Sequence, residues 1–299
     1  MNRNTLLKKL LDGEVFVSDG AWGTMFYEKG LQSGESPESW NLERPGDVLD
    51  IASSYISAGS QIILTNSFGG SKYKLEKYGL KDKTYDINRA AAEISRKAAG
   101  EDKLVFGSVG PTGIILMMGE TTAEELYDSF KTQCLALVEG GVDVILFETF
   151  SDTDEAEIAI SAAKESADIP IACTFSFEKT IDGDFKTIMG YSPGHVIPKL
   201  VDWGVNIIGS NCGNGSEGMV EVLKKIRLIN TDLPVIIHPN AGMPVYKDGK
   251  TEYPESPEEM SGYTAEMIKQ GATIIGGCCG TTPEHIKYIA MEAARSKKE

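Results

Sequence analysis

Residues 274–285 read IIGGCCGTTPEH: two isoleucines, Gly276 and Gly277, the adjacent cysteines Cys278 and Cys279, Gly280, and then Thr281, Thr282, Pro283, Glu284 and His285. The apolar run ahead of the glycines has the character of a buried strand. The Thr-Thr-Pro-Glu sequence behind them is a helix start, with proline where a first helical turn accepts it. The stretch is therefore one strand–turn–helix unit. Neighbouring cysteines rarely bond to each other, because a disulfide across one peptide bond strains the backbone. Two thiols at a strand end, cleared of bulk by glycines, point to a shared object, and a thiophilic metal ion such as zinc is the obvious one. The alternative is a tight turn whose small residues only permit close packing.

The same unit recurs along the chain. Apolar or β-branched runs occupy 15–18, 62–65, 104–108, 144–147, 169–174, 207–210, 235–238 and 273–276. They lack polar alternation, which suits parallel strands buried on both faces. Amphipathic helices are expected at 48–58, 84–99, 122–139, 152–166, 193–203, 217–228, 257–270 and 283–294. Thr122 with Glu125, and Ser256 ahead of Pro257 and Glu259, are N-terminal signals. Eight β-α units favour a closed α/β barrel, a (β/α)8 TIM barrel, over an open sheet. No linker or low-complexity tract divides the chain, so residues 1–299 are expected to form one domain, with 1–12 a short helix packed on the barrel.

The net charge of −15 opposes nonspecific binding to nucleic acid or anionic lipid, and no basic patch compensates for it. Five cysteines, odd in number and not spaced as a disulfide framework, fit a reducing cytoplasm. The start lacks the features of a secretory signal, and no apolar run is long enough for a bilayer. The connections after the first, third, fifth and seventh strands are long, which favours functional loops at the face where such barrels keep their active sites.

Polar residues closing the strands make a short list: Asp19 after the first, Glu148 after the fourth, Asn211 and Cys212 after the sixth, Asn240 after the seventh, and the cysteine pair after the eighth. Alternate strands of this barrel feed the same interior layer, so the sixth and eighth can deliver Cys212, Cys278 and Cys279 to one spot. Three thiolates with an open fourth position describe a catalytic zinc site, and Asn240 can fill the vacancy weakly without substrate. Cys134 and Cys173 read as core residues. His195, His238 and His285 are not assigned to the metal. Asp19 and Glu148 are costly to bury unless paired or liganded. They suit general acid/base work, recognition of an ammonium group, or simple bonding to loop amides.

In order, the motifs DGAxGT (19–24), TNSF (65–68), FETF (147–150), NCG (211–213), PNAG (239–242) and GGCCGTTPEH (276–285) resemble zinc-dependent homocysteine S-methyltransferases. The likeness is greatest to the homocysteine-binding module of cobalamin-dependent methionine synthase. It implies Zn2+ on Cys212, Cys278 and Cys279, with Asn240 at the fourth position of the substrate-free site. It implies that Asp19 and Glu148 hold the amino group of homocysteine, that the Gly20–Ala21 turn and Ser67 surround its carboxylate, and that Thr174 and Asn211 support the site. No DxHxxG cobalamin signature is present. The methyl group is then expected from outside, on a separate methyl-corrinoid (methylcobalamin) protein received by rim loops bearing Trp22, Met117 and Met118. A small donor such as S-methylmethionine or a betaine is the rival. A barrel enzyme holding phosphate at 276–282 is a more distant one.

Overall fold

The computed structural model describes residues 3–247 and 250–296. Eight parallel strands lie one at each expected run: β1 Phe16–Val17, β2 Ile62–Leu64, β3 Leu104–Val109, β4 Val144–Phe150, β5 Ile171–Phe175, β6 Ile207–Asn211, β7 Val235–His238 and β8 Ile274–Ile275. They pair in the order β1-β8-β7-β6-β5-β4-β3-β2. The seam between β1 and β2 is drawn together by Gln61, whose amide donates to Val17 O at 2.7 Å while its Oε1 accepts from the Val17 amide at 3.3 Å. Asp19 Oδ2, accepting from the Leu64 amide at 2.8 Å, adds a third stitch. The result is a (β/α)8 barrel.

Each strand is apolar throughout because it is buried on both sides. Phe16, Leu64, Phe106, Leu146, Ala172, Ile207, Ile236 and Ile274 belong to one buried cluster. The residues alternating with them, such as Val105, Ile145, Cys173, Ile208 and Ile275, belong to a second cluster that also takes in the helices. The first is therefore the barrel interior and the second the strand–helix layer. Leu6 and Leu10, on the helix Arg3–Leu11, join the interior cluster. That helix covers the end of the barrel where the strands begin. Residues 1–2 of the expected 1–12 helix lie outside the described residues.

Around the strands run Pro45–Ala58, Thr84–Ala99, Ala123–Glu139, Thr153–Ser166, Pro193–Asp202, Ser216–Ile229, Thr264–Lys269 and Pro283–Ser296. Both anticipated N-terminal signals are complete capping boxes, Thr122 with Glu125 and Ser256 with Glu259. One expected helix, 257–270, is instead two, Pro257–Ser261 and Thr264–Lys269. The break falls at Gly262-Tyr263, where glycine weakens the helix. The long loops carry structure of their own, including the helix Trp22–Glu28 after β1 and antiparallel hairpins after β5 and β7. Residues 248 and 249 of the last hairpin, and the Met117 side chain, lie outside the described residues. No helix among the described residues is long and apolar enough to cross a membrane.

Far from the mouth, Arg96 ties the end of Thr84–Ala99 to the starts of β3 and β4. Its guanidinium pairs with Asp143 and donates to the carbonyls of Gly100 at 2.9 Å, Lys103 at 3.2 Å and Gly141 at 3.1 Å. Asp143 in turn accepts from the Val105 amide at 2.8 Å. Arg96→Met removes the cation from a mostly buried carboxylate and is expected to cost about 3 kcal/mol. Urea unfolding of the two proteins measures this, and a loss under about 1 kcal/mol would contradict the account.

Candidate metal centre

Cys212 follows the last residue of β6, and its backbone is left-handed, φ 60°, as is that of Gly213 at 74°. The Cys212 amide donates to His238 O at 3.0 Å and the Cys278 amide to Pro239 O at 2.8 Å. Strand β7 and its continuation thus hold both cysteine-bearing segments in register. The Gly277 amide reaches Asp19 O at 2.9 Å, bringing in β1. Glycine is required at two points of the turn. A Cβ on Gly277 would lie 2.4 Å from Thr281 Oγ1, and one on Gly280 (φ 81°) 2.2 Å from the Tyr253 ring.

These constraints bring three sulfurs together. Cys212 Sγ lies 4.0 Å from Cys279 Sγ, Cys278 Sγ lies 4.0 Å from Cys279 Sγ, and all three fall within 4.8 Å of one another. None is disulfide-bonded. Sulfurs on a tetrahedral zinc, each at about 2.3 Å, stand about 3.8 Å apart. Asn240 Oδ1 is buried with no hydrogen-bond partner, and the Asn240 side chain reaches Cys212. An orphaned carbonyl oxygen beside three soft sulfur donors fits a thiophilic cation, and this is the one such group of ligand residues among the described residues. Hydrogen bonds from Cys278 and Cys279 hold the Cys212 thiol far below the usual cysteine value, and the same bonds push Cys278 up.

Asn211 and Thr174 lie directly beside the sulfurs. Asn211 Nδ2 faces Cys278 Sγ at 3.8 Å, and Asn211 Oδ1 accepts from the Thr174 hydroxyl at 2.6 Å. The two carboxylates share the same space. Asp19 is buried, with Oδ2 accepting from Trp22 Nε1 and the Leu64 amide, both at 2.8 Å. Burial nevertheless outweighs these donors and raises its pKa to about 7. Glu148 accepts from the Ser108 hydroxyl. Burial, and after it the charges of Asp19 and Cys212, raise Glu148 to about 7 as well.

The remaining expected contacts are arranged less directly. The Ala21 amide donates to Thr281 Oγ1 at 2.9 Å, and the Tyr55 hydroxyl donates to Ala21 O at 2.6 Å. Gly20 lies tight against the same two residues, since a Cβ there would sit 2.6 Å from Thr281 Oγ1. The turn is thus pinned by the protein, and Ala21 caps the helix Trp22–Glu28 without a side-chain bond, leaving its first-turn amides for an anion. Ser67 donates to Ser108 O at 2.6 Å and pairs with Thr65 at 2.6 Å, so its hydroxyl faces the protein. Ser108, Tyr55 and Thr281 carry the site without having been singled out. Ser108 is the last residue of the apolar run 104–108 and Thr281 lies in the stretch 274–285, while Tyr55 looks in sequence like any core tyrosine on a helix.

The three histidines have ordinary partners. His238 bonds Ser18 at 2.7 Å, and burial lowers its pKa to about 4, leaving it neutral. His285 bonds Thr282 at 2.9 Å, and His195 stacks on Tyr191 at 4.6 Å. Cys134 and Cys173 are fully buried. The amides of Gly277, Cys278, Thr281 and Thr282 all donate within the protein, which removes most of a phosphate cradle.

A family model described as homocysteine S-methyltransferase matches residues 16–293. The methionine synthase of Mycobacterium leprae (strain TN) is 30% identical over 312 aligned positions, covering 98% of this chain and 25% of the relative. That of Mycobacterium tuberculosis is 30% identical over 313, covering 99% and 26%. The chain thus spans about a quarter of the length of these relatives. The crystal structure of the metallated homocysteine methyltransferase MmuM from Escherichia coli superposes with a TM-score of 0.79 at 23% identity, covering 95% of this chain and 99% of that one, a likeness of fold. With the family model spanning all eight strands and the sulfur cluster, the chain belongs to the homocysteine S-methyltransferase family.

Proposed function

We propose that this chain transfers a methyl group to the sulfur of homocysteine, giving methionine, with zinc held by Cys212, Cys278 and Cys279. The carrying observation is the convergence of three sulfurs beside two buried carboxylates, in a member of this family. Zinc, when bound, lowers the pKa of an incoming thiol so that its sulfur is nucleophilic at neutral pH. The three cysteine thiolates bring enough negative charge to keep that sulfur electron-rich. Asn240 Oδ1, buried without a partner, would serve as a weak fourth donor in the absence of substrate. Asn211, donating toward Cys278, and Thr174, fixing Asn211, steady the ligand sulfurs.

Asp19 and Glu148 receive the substrate's ammonium group. Its positive charge between them favours ionisation of both and offsets the burial that raises them. The substrate carboxylate lies against the Gly20–Ala21 turn and the start of Trp22–Glu28, with Ser67 holding β2 and β3 together behind it. As the methyl group moves, a sulfur–carbon bond forms, the donor–carbon bond breaks, and its electron pair stays with the donor. A methyl-corrinoid carried on a partner protein is the proposed donor. The likeness to methionine synthases supports it, as do the exposed apolar residues Phe68, Met118, Ile188 and Tyr246 on loops around the mouth.

Three outcomes are expected. Cys278→Ala should lose zinc, measured by metal analysis, and more than about 100-fold in methionine formation, while the far-ultraviolet circular dichroism stays unchanged. A zinc-free variant with normal turnover would refute the mechanism. Incubation with homocysteine and methylcobalamin, S-methylmethionine or a betaine should give methionine from the corrinoid; product from a sulfonium or betaine alone would remove that donor. The pH dependence has a definite sign. Asp19 and Glu148 are protonated below about 7, so KM for homocysteine should rise by up to about tenfold per unit for each of the two carboxylates as pH falls from 7 to 5. The folded protein keeps protons that the unfolded chain releases near pH 4, so its stability without substrate should fall between pH 4 and 7 and fall less in Asp19→Asn. A flat KM profile would oppose the assignment.

A further inference from the structure

Strand β4 is irregular where it enters the site. Ile145, Leu146 and Phe147 pair in register with Ile171, Ala172 and Cys173, and the next pair is Phe150 with Phe175. The residues passed over are Glu148 and Thr149. Thr149 is left-handed at φ 63°, and it and Cys212 are the two non-glycine residues with positive φ among the described residues. A β-branched residue in this region persists only where its surroundings hold it.

Asn211 holds it twice. The Thr149 amide donates to Asn211 Oδ1 at 2.8 Å, and Asn211 Nδ2 donates to Thr149 Oγ1 at 2.7 Å. Oδ1 takes a second bond from Thr174, and Nδ2 also faces Cys278, so the amide orientation is fixed by four partners. The irregularity has a directional effect. In an unbroken strand, Phe147 and Phe150 would face opposite sides. Here both lie in the strand–helix layer, their rings edge to face at 5.8 Å, while Glu148 turns toward Asp19 and the sulfurs. Glu148 keeps the inward side of Val144 and Leu146, Phe150 is the side chain that the bulge re-aims, and the clamp at Thr149 fixes the peptide that directly follows Glu148.

We infer that Thr149 is a positioning residue for recognition of the substrate's amino group: its left-handed backbone, clamped by Asn211, sets where Glu148 stands relative to the sulfur cluster. This rests on the proposed reading of Glu148 as an ammonium acceptor. Thr149 itself touches neither the substrate nor the metal. The three cysteines lie beyond β6 and β8 and are spaced by the carbonyls of His238 and Pro239, so loosening the β4 bulge reaches them only through Asn211, which keeps its bond from Thr174, whereas it acts on Glu148 directly.

The test uses the whole 299-residue chain, zinc-loaded, and calorimetric titration with homocysteine and with 4-mercaptobutanoate, the same thiol without its amino group. The wild type should prefer homocysteine by at least about tenfold, the weight of a hydrogen-bonded charge. Thr149→Val deletes the hydroxyl at nearly constant shape and should lose most of that preference, with zinc content and 4-mercaptobutanoate affinity within about twofold of wild type. Thr149→Asn, which tolerates the left-handed region and can still bond Asn211, should recover it. Thr149→Gly accommodates the backbone without the hydroxyl, so it keeps the test decisive if the valine variant does not fold, and it too should lose preference. An undiminished preference in the valine or glycine variant, or an equal loss of affinity for both thiols, would overturn the inference. A wild type that binds both thiols alike would instead remove the ammonium reading, and the inference with it.

Discussion

Three sulfurs held about 4 Å apart cannot all carry a negative charge without something positive among them. Hydrogen bonds within the cluster lower Cys212 and raise Cys278 and Cys279, the pattern of protons shared among the three sulfurs. A divalent cation held by the three cysteines would take the place of those protons and favour the thiolate form of each. The top of the barrel is arranged around this requirement. The cysteines come from β6 and β8, which are not neighbours, and β7 sets their spacing through the carbonyls of His238 and Pro239. The left-handed turn at Cys212 and the glycine packing at Gly277 and Gly280 serve the same end.

The carboxylates show the accompanying cost. Asp19 helps to close the β1–β2 seam and also stands close enough to Glu148 for its charge to raise that group, so one side chain joins a structural role to its proposed one in binding. Burying it and Glu148 without a cation raises both, which destabilises the empty protein near neutrality. Stability given up at a binding site is a common trade for affinity. In the proposed function it is recovered when an ammonium group enters.

Much of the fold was legible in the sequence, for a physical reason. Strands of a closed parallel barrel are buried on both faces, so they appear as uninterrupted apolar runs. The sulfur site was legible because cysteine is scarce and three of five stand at strand ends. Asp19 and Glu148 stood out as charges closing apolar strands. Other features leave no trace in composition or period. The register shift at Thr149 depends on one residue's backbone and on Asn211, 62 positions away. The bond from Tyr55 to Thr281 spans 226 positions. The commitment of the Ala21 amide to Thr281 likewise depends on a tertiary neighbour rather than local pattern.

The plug formed by Leu6 and Leu10 makes the barrel a cup rather than a tube. In the proposed reaction, reactant, methyl source and product would share a single doorway. A small amino acid would have to settle inside before a bulky donor covered the opening, and the finished thioether would leave only after that cover lifted. Queueing at one entrance, rather than the chemistry of any side chain, imposes this sequence of arrivals and departures.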